Sequence, residues 1–186
     1  MMGLTHLFIG TASALALTSS VYGIIPALIG GSIGGTISDI DTKNSIFSKY
    51  FKIKNIVIAI VIDLVLQGPI LHYIFKANKV ILLFGIILFF ILLKLGKAQK
   101  HRGPTHSILA LTLFSVSIAF FSLPILPAFI IGFISHLTLD ILNKKPVNIF
   151  YPYNKGICLK FCYANKSTNT TLLFVGIIFT VYFLIF

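Results

Sequence analysis

Seven side chains able to ligate a metal ion fall in four short clusters of this chain. His6 stands near the start, and Asp39 and Asp41 close an apolar stretch. His101 and His106 bracket Arg102-Gly103-Pro104-Thr105, and His136 precedes Asp140 by four residues. Imidazole nitrogen and carboxylate oxygen are the donor set of zinc and of other first-row divalent ions such as manganese. Seven donors exceed the three or four that one zinc needs, which leaves two metals, or one metal with supporting partners, as the alternatives. A divalent ion at such a site acidifies a coordinated water and makes a hydrolytic nucleophile. A spare carboxylate, Asp41 or Asp140, is then the natural general base, and Arg102, the sole arginine, is suited to clamp an anionic oxygen bidentately.

Taken singly, each cluster has an ordinary explanation: a helix cap at Asp39–Asp41, an interfacial histidine at His6, a His–Asp hydrogen bond across one helical turn at His136 and Asp140. Their grouping is what argues for chemistry. Apart from Asp63 and His72, every Asp and His belongs to one of the four clusters, and the chain has no glutamate at all.

The elements that must position these residues are apolar helices. The composition is 57% hydrophobic with a mean hydropathy of +1.00, outside the range of soluble globular domains. Several runs are long enough to cross a hydrocarbon layer of roughly 30 Å. The expected fold is therefore all-α: a single polytopic transmembrane bundle over residues 1–186, of about six or seven helices, some short or kinked. Their approximate spans are 4–20, 25–38, 53–75, 79–95, 104–122, 127–142 and 171–186, with a cytoplasmic loop at 143–170. The first run lacks a basic flank and leads directly into another apolar helix, so it reads as a span and not as a cleaved leader. Small residues at Gly30-Gly31-Ser32-Ile33-Gly34-Gly35 suit close helix approach. Pro104 suits the first turn of the fifth helix, with His106 on that turn and Thr105 and Ser107 available to its free amides.

The net charge of +11 is read as loop lysines that set topology and meet anionic lipid, in preference to a nucleic-acid surface. With seven crossings, thirteen of the fifteen basic residues fall in the loops after the second, fourth and sixth helices. Only Lys76 and Lys79 fall on the other side. The positive-inside rule then makes the N-terminus and those loops cytoplasmic, and the same alternation carries all seven candidate ligands to the cytoplasmic boundary. Cys158 and Cys162 imply no disulfide framework. Asp63, with Gln67 one turn on, is a buried acid of the third helix and a separate functional suspect.

The elements Thr5-His6, Ser38-Asp39-Ile40-Asp41, His101-Arg102-Gly103-Pro104-Thr105-His106-Ser107 and Ser135-His136-Leu137-Thr138-Leu139-Asp140, followed by Phe150-Tyr151-Pro152-Tyr153, resemble in order those of YdjM-type proteins. That family comprises multi-pass proteins of the bacterial inner (plasma) membrane, described as metal-dependent hydrolases and as LexA-binding-type. The order His, Asp, His, then His-x-x-x-Asp is also remotely similar to zinc-dependent phospholipases C and single-strand-specific zinc nucleases. Those enzymes carry further ligands downstream, whereas no His, Asp or Glu follows Asp140 here. The resemblance implies a membrane-bound metal-dependent hydrolase, with Zn2+ or Mn2+ as cofactor, acting on a phosphodiester or phospholipid ester. The rival expectations are a metal that merely ties helix ends together, and a metal or proton transporter that uses Asp63.

Overall fold

The computed structural model describes residues 3–42, 79–99, 101–153, 155–161 and 166–186. Among these residues are six α-helices: α1 (Gly3–Tyr22), α2 (Ile24–Ile37), α3 (Lys79–Lys97), α4 (Ile108–Phe121), α5 (Ile125–Leu142) and α6 (Lys166–Ile185). Four of them contain stretches long and apolar enough to cross a membrane: Gly3–Tyr22, Val80–Lys97, Ile125–Leu142 and Ser167–Ile185. The all-helical expectation holds. The helix expected at 53–75, with Asp63, Gln67 and His72, lies outside the described residues.

Two hairpins set the topology. α1 turns into α2 at Gly23, whose φ of 90° is in the region that favours glycine. α4 turns into α5 through Ser122 and Pro124, and Pro127 sits in the first turn of α5, where no helical amide is lost. α2 packs most extensively on α5 and α1, α1 also meets α6 and α5, and α3 packs on α4. A buried apolar core joins α2, α3, α4 and α5, with Ile33, Phe89, Phe114, Phe129 and Phe133 among its members. Lipid tails are as apolar as leucine, so close packing and interhelical hydrogen bonds hold such helices together. Thr11 and Ser32 share a hydroxyl hydrogen bond (3.1 Å) between α1 and α2, Ser117 donates to the Gly85 carbonyl (3.0 Å) between α4 and α3, and Thr5 donates to Asn169 Oδ1 (3.0 Å) between α1 and α6.

The glycines of α2 permit its approach to α5. A Cβ at Gly30 would lie 2.6 Å from the Ile125 carbonyl oxygen and 2.8 Å from the Phe129 nitrogen, so a methyl group there collides with backbone. Overpacking of this kind costs about 1–3 kcal/mol. Gly30→Ala is accordingly expected to lower the unfolding midpoint in detergent, and a midpoint equal to wild type would show that the α2–α5 spacing is not set by this glycine.

Two irregular segments depart from the helices read in the sequence. α2 ends in a tight 3-10 turn, Ser38–Asp41, and a second 3-10 turn, Pro104–His106, precedes α4. His106 therefore stands before α4, not on its first turn. The chain extends at Ser107, which becomes the N-cap of α4 and accepts from the Ala110 amide at 3.1 Å. The region after α5 folds back on this junction. Ile108 N–H donates to the Ile149 carbonyl (3.0 Å), Asn148 N–H to the Arg102 carbonyl (3.4 Å), and Val147 pairs with Ile157 in a single antiparallel bridge.

Candidate metal centre

The four clusters converge at the ends of α1, α2 and α5 and at the turn before α4. His6, His106, His136 and Asp140 are almost wholly withdrawn from solvent. His106 Nε2 lies 3.4 Å from Asp39 Oδ1 and 3.4 Å from Asp140 Oδ2, and His136 Nε2 lies 3.9 Å and 3.8 Å from the same two oxygens. These separations exceed normal hydrogen-bond lengths, and both Nε2 atoms are buried without a hydrogen-bond partner. Metal bonds of roughly 2.0–2.1 Å in a tetrahedron place donor atoms about 3.3–3.4 Å apart. The two 3.4 Å separations match that spacing and the other two exceed it, and the donors fall into two overlapping sets with metal-ligand spacing, Asp39–His106–His136 and His6–His136–Asp140.

The tautomers fit as well. A carbonyl oxygen can only accept, so the 2.8 Å contact of His136 Nδ1 with the Gly35 carbonyl puts the ring proton on Nδ1 and a lone pair on Nε2. Thr105 Oγ1 donates to Asp41 Oδ2 at 2.7 Å, so it accepts from His106 Nδ1 at 3.1 Å, and His106 Nε2 is likewise left as a donor atom. Asp41, Thr105 and His106 thus form the carboxylate-backed histidine common behind metal ligands, with a hydroxyl interposed. Gly35 serves the site twice, since a Cβ there would stand 2.6 Å from the His6 carbonyl oxygen.

The remaining candidates occupy an outer layer. His6 stacks on His136 with ring centroids 4.0 Å apart, and its Nε2 lies 3.5 Å from Asp140 Oδ1. His101, half-exposed, donates from Nδ1 to Asp41 Oδ1 at 2.9 Å, and Thr42 donates to the same oxygen at 3.1 Å. The two histidines of the His101–His106 element therefore meet at Asp41, while only His106 also turns a nitrogen to the inner four donors. Asp41, His101 and His106 still make a third group with metal-ligand spacing, beside His6–His136–Asp140 and Asp39–His106–His136. Arg102, at φ 63°, sends NH1 to the Lys145 carbonyl (2.6 Å) and NH2 towards Asp140 Oδ1 (3.4 Å). It braces the α5 carboxylate and the loop together. Sequence reasoning missed the roles of Thr105, Thr42 and the Gly35 carbonyl. Thr105 lay within the most conspicuous element, but its tie to Asp41 spans 64 residues of chain.

Charge is arranged to suit the histidines. Burial alone would raise the Asp39 carboxyl, but the neighbouring His136, His106 and His6 outweigh it and hold the group below its usual range. Burial likewise opposes ionisation of Asp41, and His101, His106 and the Thr105 hydroxyl overcome it. The hydrogen bond to Asp41 raises His101 above its ordinary value, against partial desolvation.

The apolar helices and the His/Asp centre define an integral membrane protein with a candidate metal site. The chain matches the family described as YdjM inner membrane protein over residues 1–186, and it belongs to that family. No curated protein and no solved structure matches it.

Two outcomes follow from the two layers. Asp41→Asn is expected to weaken metal binding about 10–100-fold without abolishing it, as measured by competition with a chelator, because it acts through His106; unchanged affinity would remove Asp41 from the site. In metal-free protein, the raised His101 contributes stability below its ordinary value of about 6.5 that is lost as pH rises through its folded value. The difference in unfolding midpoint between wild type and His101→Ala should thus be larger at pH 6 than at pH 9, and a difference that grows with pH would contradict the ion pair.

Proposed function

We propose that this protein is a metal-dependent hydrolase of phosphodiester or phospholipid esters, working at the cytoplasmic boundary of the inner membrane. The observation that carries the reading is the convergence of four inward donors, from His106, His136, Asp39 and Asp140, with each imidazole Nε2 3.4–3.9 Å from a carboxylate oxygen of both aspartates and with hydrogen bonds that leave both Nε2 atoms free. We assign zinc, with manganese as the alternative, on the chemistry of two imidazoles and two carboxylates. When bound, such an ion supplies Lewis acidity towards a phosphoryl or carbonyl oxygen and acidifies a water.

The chain's own groups divide the remaining work. Of the two carboxylates available as general base, Asp41 is turned away behind His106, whereas Asp140 sits among the inward donors with His6 Nε2 3.5 Å from its other oxygen. Asp140 is assigned to take the proton of the attacking water, as that oxygen bonds to the ester centre and the ester bond to the leaving group breaks. The leaving oxygen then takes up the proton. Arg102, on Asp140 Oδ1, steadies that carboxylate and lies where an anionic ester oxygen would meet a second positive charge. The lysines of the loops after α3 and α5 favour a cytoplasmic placement for this face and for the N-terminus.

A second reading has its own support. The inward donors come from α5, the 3-10 turn that ends α2 and the turn before α4, and the two imidazoles are inaccessible to solvent, so a closed four-donor set would pin these segments without catalysis. Metal analysis and turnover together separate the two. Purified protein should carry about one or two zinc or manganese ions per chain, lost in His136→Ala/Asp140→Ala, and should hydrolyse bis(p-nitrophenyl) phosphate or a phospholipid with loss of turnover in the same variant. Metal present without turnover on any ester tested, and an unfolding midpoint that falls on chelation, would replace the hydrolase with the structural reading. No stoichiometric metal after reconstitution would end both.

A further inference from the structure

A cleft of about 230 Å³ runs between α3 and α4, outside the metal-ligating cluster. Leu92 and Leu95 of α3 and Leu109 and Leu113 of α4 form its apolar walls. Leu95, Leu109 and Leu113 are exposed among the described residues, continuing the apolar outer face that Ile81, Phe84 and Ile87 give to α3. In a helix of membrane-spanning length, that face meets lipid hydrocarbon, so the cleft opens towards acyl chains and not towards water.

The other end of the cleft changes character. Gln99, Thr105 and Tyr151 line it there. Thr105 has two faces: its methyl group would stand 3.3 Å from a Cβ placed on Gly96 of the α3 wall, while its hydroxyl donates to Asp41 and accepts from His106. One side chain thus separates an apolar trough from the His/Asp cluster. Lys94 and Lys97, both exposed, stand on the last turn of α3 beside this end and bring positive charge to the level of lipid headgroups.

We propose that the α3–α4 cleft seats one acyl chain of an anionic membrane lipid, holding its headgroup linkage at the Thr105 end beside the His/Asp cluster. The cleft supplies what the cluster lacks, an apolar anchor that selects a lipid ester over a soluble phosphodiester. As a substrate subsite it rests on the hydrolase reading; as a lipid site it stands on the cleft alone.

The test uses the full chain in vesicles of phosphatidylglycerol and phosphatidylethanolamine, doped with phosphatidylglycerol carrying a photoreactive diazirine midway along one chain. Cross-links mapped by mass spectrometry are expected to concentrate on Leu92, Leu109 and Leu113 over the more exposed leucine and isoleucine positions elsewhere on α3. They should persist in His136→Ala/Asp140→Ala, which retains the cleft. Leu113→Trp, a lipid-facing change that fills the trough, should cut cleft labelling about tenfold, a loss of roughly 1.4 kcal/mol of affinity, and leave metal content and turnover of bis(p-nitrophenyl) phosphate unchanged. Labelling spread evenly over the apolar belt, or cleft labelling unaffected by Leu113→Trp, would overturn the acyl site even if hydrolysis is found. Concentrated labelling without any hydrolysis would instead uphold the acyl site and remove the hydrolase reading.

Discussion

Two carboxylates drawn away from water onto the same pair of imidazoles are the constraint on which this molecule turns. Asp39 and Asp140 each approach both His106 and His136, within 3.4–3.9 Å. Uncompensated negative charge is costly in a low-dielectric interior, and like charges brought together make it worse. The arrangement is inexpensive only with positive charge at its centre, from protonated rings or a cation. Everything nearby keeps the four groups converging: the Gly35 carbonyl orients His136, the Thr105 hydroxyl orients His106, and Arg102 holds Asp140. The glycines of α2 follow from the same demand. Asp39 can approach His136 of α5 only if α2 lies close against both α1 and α5, and Gly31 and Gly35 on one side with Gly30 on the other leave no side chain in the way.

Much of this was legible in the sequence, for identifiable reasons. Helices of membrane-spanning length announce themselves by hydropathy, and the four clusters stood out because Asp and His are so scarce in this chain. The i, i+4 spacing of His136 and Asp140 correctly placed both on one face of α5. What escaped was local geometry. Pro104 and Ser107 fit equally the start of one helix at Pro104 and a 3-10 turn followed by a capped helix at Ile108, and the second is what forms. The ordering of donors into inner and outer layers also lay beyond spacing, because Asp41 differs from Asp39 by only two residues yet faces His101 and Thr105. Contacts across sixty or more residues leave no periodic signature.

The segment after α5 shows why a polar stretch between two apolar helices need not be a passive connection. Val147 and Ile149 are buried, and the chain there supplies an acceptor for the α4 amide of Ile108 and another, Lys145 O, for Arg102. The loop therefore ties down the turn that carries His106. Loops that position functional side chains from a rigid scaffold are common; here the scaffold and the loop brace each other.

The lengths of the helices carry one further implication. α2 and α4 have 14 residues each, about 21 Å of helix at 1.5 Å per residue, whereas α1 with 20 residues reaches about 30 Å. The turns bearing Asp39 and His106 belong to the two short members, and their partners His6 and Asp140 lie inside the ends of longer ones. The centre is thus slung between elements that match a bilayer and elements that fall short of it. Mismatch of this sort is relieved by tilting helices or thinning the bilayer. Lipid thickness becomes a mechanical input to the donor geometry, so that the same chain in thin and thick bilayers would hold its ligands at different tension.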